Sequence, residues 1–231
     1  MNDKIRGFVL TISDYKDADV LMQVACKDIG ILSLVGKASK KLNSKNHFLP
    51  MCEYEFIIDY KDGKTIYSVH GYKVLHSYFD SDDIVLMSYK NILIELATKN
   101  KEINLYEKLL FVFERINNEN KYLLGSLYLS YIIKQFGITP IVDECTVCGN
   151  KKVVSLSNIS GGFLCEKHSN GNSLPVEVLK KFRLIIKADF VNYDAIKDFK
   201  YDFSDFCLLM DFYIENTDTK LKTYDFYKSL V

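Results

Sequence analysis

The apolar pattern of this 231-residue chain changes period between Leu75 and Asp80, so a strand-like first third gives way to a helix-like remainder. Such a chain is predicted to fold as an α+β molecule in two parts. Before the change, Lys4–Ile12, Val20–Cys26 and Ile31–Val35 are short β-prone runs, with a tight turn at Asp28-Ile29-Gly30. Met51–Asp59 then alternates. Cys52, Tyr54, Phe56 and Ile58 share the expected inner face, and Met51, Glu53, Glu55, Ile57 and Asp59 share the outer one. Asp62-Gly63 turns the chain into a fifth run, Lys64–Tyr72. Five strands with the longest connection between the third and fourth match the needs of a five-stranded OB-fold β-barrel, although other small β-barrels share that count.

After the change the spacing becomes helical. Ser81 is placed to cap a helix whose first turn holds Asp82 and Asp83, carboxylates favoured by the positive end of the helix dipole. Leu105, Leu109, Val112, Phe113 and Ile116 form one face of a second helix. Tyr122–Phe136 is apolar nearly all round, as expected of a central core helix, and Gly137 and Pro140 end it. Ser173 and Pro175 open a further helix carrying Val176, Leu179, Phe182, Ile185 and Ile186 on one side, and another spans about Ser204 to Ile214.

Between these helices stands Cys145-Thr146-Val147-Cys148-Gly149, and then, with sixteen residues between Cys148 and Cys165, Cys165-Glu166-Lys167-His168. Two pairs of ligands, each separated by two residues, can curl around one ion, and three thiolates with a neutral imidazole suit tetrahedral zinc. Cys145, Cys148, Cys165 and His168 are therefore the expected ligands of a structural zinc. A full set of protein ligands leaves no open position for water or substrate. A redox Cys-x-x-Cys is the competing reading, and it leaves Cys165 and His168 unexplained. A metal-free remnant of such a site is a third. Cys26, Cys52 and Cys207 are scattered among apolar residues and read as core thiols.

Thirty Lys plus Arg balance thirty Asp plus Glu, so attraction to an anionic partner has to come from local clustering. One cluster qualifies. No acidic residue occurs between Asp28 and Glu53, and Gly36 to Lys45 carries Lys37, Lys40, Lys41 and Lys45 on the longest loop of the expected barrel. Each of these lysines can neutralise one phosphate; the competing reading is a solvated loop with mobile side chains. The first residues lack the long apolar run of a secretory signal, and the uncharged Tyr122–Ile133 stretch is shorter than the roughly 20 residues a membrane-crossing helix needs. A cytoplasmic protein without a membrane partner is expected.

The strand Gly7-Phe8-Val9-Leu10, Tyr15 and Asp19 ahead of Val20-Leu21, and Gly36-Lys37-Ala38-Ser39-Lys40 are followed by Phe136-Gly137-Ile138-Thr139-Pro140. Then come Cys145-x-x-Cys148-Gly149 and Gly161-Gly162-Phe163-Leu164-Cys165. In this order, along nearly the whole chain, they resemble the bacterial recombination mediator RecO family. The resemblance implies an OB-fold DNA-binding domain at residues 1–79 and a helical domain at 80–231 with its zinc knuckle at 145–168. It also implies a nucleoid-associated protein that binds single- and double-stranded DNA and anneals complementary strands. Its implied partners are RecR and the single-strand DNA-binding protein, with which it loads RecA at gaps. His168 departs from the four cysteines common in zinc-bearing relatives, and the neutral net charge departs from a basic one.

Two other function classes define the tests. An RNA-binding or translation-associated OB-fold and zinc module uses the same physics. An enzyme would need a reactive constellation, and the chain has no phosphate-cradling Gly-rich loop with Lys-Ser/Thr, no His-Glu-x-x-His and no Gly-x-Ser-x-Gly. No catalytic activity is expected. His47, His70 and His76 read as surface or structural residues.

Overall fold

A computed structural model describes residues 3–37, 39, 47–61, 63–80, 82–101 and 104–231. Contacts divide the chain into two compact units, Met1–Arg115 together with Leu221–Val231, and Ile116–Lys220.

The first unit is built on five strands: β1 (Asp3–Tyr15), β2 (Asp19–Cys26), β3 (Gly30–Gly36), β4 (Cys52–Ile58) and β5 (Ile66–Ser77). They close into a barrel in the order β1-β2-β3-β5-β4, with β1 also paired to β4. Every pairing is antiparallel except β3 with β5, the arrangement of an OB-fold. The alternation of β4 is the clearest link from sequence to core. Cys52, Tyr54, Phe56 and Ile58 are buried, whereas Glu53, Glu55 and Ile57 are half-buried on the other face. The inner residues pack with Ile5, Val9, Met22, Val24, Leu34 and Tyr67. Removing such side chains from water is the main force closing the barrel.

Two helices continue this unit, α1 (Ile84–Lys99) and α2 (Tyr106–Phe113). Phe113 stands edge-on to Phe8 of β1 with ring centroids 4.9 Å apart. The start of α1 differs from the sequence reading. Asp83, expected in the first turn, is the N-cap, and its carboxylate accepts the Leu86 N–H at 2.8 Å. Ser81 lies outside the described residues. An ionised carboxylate accepts a backbone N–H at least as well as a hydroxyl and also meets the helix dipole. The last helix, α7 (Lys222–Lys228), belongs to this unit as well, packing on α1 through buried Tyr224 and Tyr227.

The second unit centres on α3 (Lys121–Gln135), which buries Leu123, Leu124, Leu127, Tyr128, Leu129, Ile132 and Ile133. Burial on every side explains its nearly continuous apolar sequence. Around it pack α4 (Val176–Lys187) and α6 (Phe203–Thr217), and a 3₁₀ turn at Phe190–Asn192 leads into the short α5 (Tyr193–Ile196). Ser130, buried in α3, donates its hydroxyl proton to the Ile185 carbonyl at 2.9 Å. Between α3 and α4 the chain forms a two-stranded hairpin, β6 (Ser155–Ser157) and β7 (Gly162–Leu164), flanked by the Cys145–Cys148 and Cys165–His168 pairs.

Candidate metal centre and the roots of the basic loop

The knuckle is held in place by backbone hydrogen bonds before any ligand is considered. Gly149 N–H donates to the Cys145 carbonyl at 2.9 Å, closing the first turn, and His168 N–H donates to the Cys165 carbonyl at 2.9 Å, closing the second. Thr146 N–H donates to the Phe163 carbonyl at 2.9 Å and so ties the first turn to β7. Ile141 lies beside β7 as a third, parallel segment: Phe163 N–H donates to its carbonyl at 2.8 Å. This explains Gly162. Its φ is +150°, and a Cβ there would sit 2.2 Å from the Ile141 carbonyl oxygen. Gly162 is the residue that lets two backbones meet.

The four expected ligands converge. The Cys145, Cys148 and Cys165 sulfurs and a His168 ring nitrogen all lie within 4.8 Å of one another. His168 Nδ1 is 3.4 Å from Cys145 Sγ and 3.4 Å from Cys165 Sγ, and Cys148 Sγ is 3.7 Å from Cys165 Sγ. A tetrahedron with sulfur at about 2.3 Å and nitrogen at about 2.0–2.1 Å from its centre has S···S edges near ~3.8 Å and S···N edges near ~3.5 Å. The His168 edges of 3.4 Å and the Cys148–Cys165 edge of 3.7 Å match, and the sulfurs are not joined as a disulfide, which needs about 2.05 Å. The donor set therefore fits a thiophilic tetrahedral cation such as zinc, with Nδ1 as the ligating nitrogen. Among the described residues this is the group of Cys, His, Asp and Glu side chains close enough to hold an ion.

Cys145 and Cys165 are buried, His168 is half-buried and Cys148 is exposed. Burial pushes the Cys145 thiol up, but the backbone N–H groups of Cys165, Val147 and Cys148, together with His168, overcome that and hold it at about 6. A thiol already biased toward thiolate is prepared for a cation.

The basic loop is described at its roots. Lys37 is exposed immediately after β3; Lys40, Lys41 and Lys45 lie outside the described residues. At the near root, a Cβ on Gly36 would fall 2.3 Å from Phe48, so the ring at the far root packs where a side chain at Gly36 would otherwise stand. Phe48 is buried against Tyr72, with centroids 4.7 Å apart. His47 N–H donates to the Tyr72 hydroxyl oxygen at 3.2 Å, and Leu49 N–H to that of Tyr54 at 2.9 Å. Both ends of the loop are thus fastened to the barrel's aromatic interior. That anchoring was missed in the sequence, where Phe48 carries no signal beyond its apolar character. His47, His70 and His76 are exposed, with the His76 ring 4.3 Å from that of Tyr78.

Among the described residues no helix is long and apolar enough to cross a membrane. Residues 1–78 match the family model described as recombination protein O N terminal, and residues 79–216 match that described as recombination protein O C terminal. Relatives include the DNA repair protein RecO of Bacillus mycoides (strain KBAB4) and of Bacillus cereus (strain B4264). Each is 25% identical over 191 residues, covering 77% of this chain and 75% of the relative. DNA repair protein RecO of Bacillus anthracis (strain CDC 684 / NRRL 3495) is 24% identical over the same coverage.

Proposed function

This chain belongs to the recombination protein O family, whose place is in DNA repair and recombination, and from that premise we propose that it is a non-catalytic mediator acting directly on DNA. In this reading the barrel, residues 1–79, binds single- and double-stranded DNA and brings complementary strands together. The helical part, residues 80–231, meets RecR and the single-strand DNA-binding protein, so that RecA is loaded at single-stranded gaps in the cytoplasm. Zinc held by Cys145, Cys148, Cys165 and His168 fastens the knuckle and takes no part in chemistry.

The observation that carries the reading is the union of a closed five-stranded barrel with a lysine-bearing β3–β4 loop anchored at both roots. Roots that are already fixed lower the ordering cost that binding imposes on a loop. Lys37, Lys40, Lys41 and Lys45 each pair with one phosphate, a mode that positions the strand without reading its sequence.

Strand annealing and competition gel shifts test it. Purified chain should accelerate pairing of complementary oligonucleotides and prefer single-stranded DNA over RNA of the same sequence. Strong RNA preference without annealing would favour the RNA-binding module instead.

A further inference from the structure

We propose that the knuckle is an oxidation switch in which Cys148 is the sulfur a peroxide oxidises and Cys165 is the partner that closes a disulfide and expels the metal; this rests on the metal reading above. The four ligands are not equivalent. Cys145 and Cys165 are 1% and 2% exposed, whereas Cys148 is exposed at the tip of the first turn, between exposed Val147 and Gly149. The least covered sulfur is the one a dissolved peroxide reaches first.

The chemistry balances with one peroxide. The Cys148 thiolate attacks one oxygen of hydrogen peroxide, an S–O bond forms, the O–O bond breaks, and the departing hydroxide takes a proton to become water. The product is a sulfenic acid, a poor ligand for zinc. The Cys165 thiolate, 3.7 Å away, then attacks that sulfur; an S–S bond forms and the hydroxyl leaves as a second water after protonation. Two thiolates have lost two electrons and the peroxide has gained them. Closing from 3.7 Å to a disulfide length of about 2.05 Å is a movement of less than ~2 Å at an exposed turn. Cys145 and His168 remain, and two ligands do not retain zinc against solvent. A thiol reductant with added zinc reverses the change.

The test uses the full chain. Metal content is measured first, then hydrogen peroxide is added while released zinc is followed with a colorimetric chelator and disulfides are mapped by peptide mass spectrometry without reduction. We expect one zinc released for each disulfide formed, a Cys148–Cys165 linked peptide, and recovery on adding dithiothreitol and zinc. The Cys207→Ser variant, altered at a half-buried cysteine outside the knuckle, should release zinc with the same stoichiometry. A chain that purifies without metal overturns the metal reading. A zinc-loaded chain that keeps its metal, joins Cys145 instead of Cys165, or accumulates oxidation at Cys207 overturns the switch while leaving the metal reading intact.

Discussion

Glu95, near the end of α1, caps the helix that starts at Lys222: its carboxylate accepts the Thr223 N–H at 2.8 Å, the Thr223 hydroxyl at 2.6 Å and the Lys222 N–H at 3.1 Å. The cap thus comes from a residue 128 positions earlier in the chain. Below it, Tyr89 of α1 meets Tyr227 of α7 edge-on at 5.4 Å. The last eleven residues, Leu221–Val231, are in this way part of the first unit, although the family match ends at residue 216.

Replacing Glu95 by Ala should lower stability by about 1–2 kcal/mol, the worth of a helix cap with its orphan N–H groups left unpaired. Thermal melts of Glu95→Ala, Thr223→Ala and the double variant check it. The two losses should overlap in part rather than add in full, because both remove the Thr223 hydroxyl–Glu95 hydrogen bond.

Removing the metal should loosen the second unit, since structural zinc contributes about 10–16 kcal/mol in small zinc domains. A tight chelator, or His168→Ala, should lower the melting temperature and increase proteolysis between residues 141 and 175. His168→Cys should keep one zinc per chain. Metal retention should also fall on acidification, because protons compete for the three sulfurs and the ring nitrogen. Equal melting curves with and without chelator would contradict this role.

Gly162→Ala should be far more damaging than Gly137→Ala. Both glycines have positive φ, +150° and +71°, but a Cβ on Gly137 meets nothing within 4 Å and one on Gly162 strikes the Ile141 backbone. Backbone strain of this kind costs roughly 1–3 kcal/mol, to which Gly162→Ala adds a collision. Denaturant midpoints of the two variants measure the difference.

Asp202 caps α6 in a reciprocal box with Asp205, accepting the Asp205 N–H at 3.1 Å while Asp205 accepts the Asp202 N–H at 3.0 Å. The Ser204 hydroxyl is the chief group holding the Asp202 carboxyl below its ordinary range, with the Asp205 N–H and Lys181 adding to it against burial. A depressed carboxylate contributes stability above its unfolded pKa, near ~3.9, and loses it as pH falls through the folded value. Asp202→Ala should cost about 1 kcal/mol near neutral pH, and the gap from the parent should narrow in acid. Urea unfolding at neutral and acidic pH reads this directly.

Local pattern made much of this molecule legible. The alternation of Cys52 to Ile58 encodes one buried face, and the continuous apolar run of α3 reflects burial all round. The spacing of Cys145, Cys148, Cys165 and His168 was sufficient to expect them to converge. What escaped the sequence depends on distant partners. In Lys222–Lys228, Tyr224 and Tyr227 lie among charged residues, and the helix is held by α1 and by a cap from Glu95. The family models divide after residue 78, and contacts group α1 and α2 with the barrel unit up to Arg115. Gly162 and Phe48 likewise take their meaning from Ile141 and Gly36, which only tertiary structure brings near.

The salt dependence of DNA binding tests the central claim most directly. With four phosphate contacts from Lys37, Lys40, Lys41 and Lys45, log affinity against log salt should have a slope near ~−2.8 on single strands and ~−3.6 on duplex. Affinity should then fall roughly 50- to 150-fold between about 50 and 200 mM salt. Replacing all four lysines by Ala should weaken binding at low salt and bring the slope toward zero while the melting curve stays unchanged. Undiminished binding with the parent's slope in that variant would contradict the account.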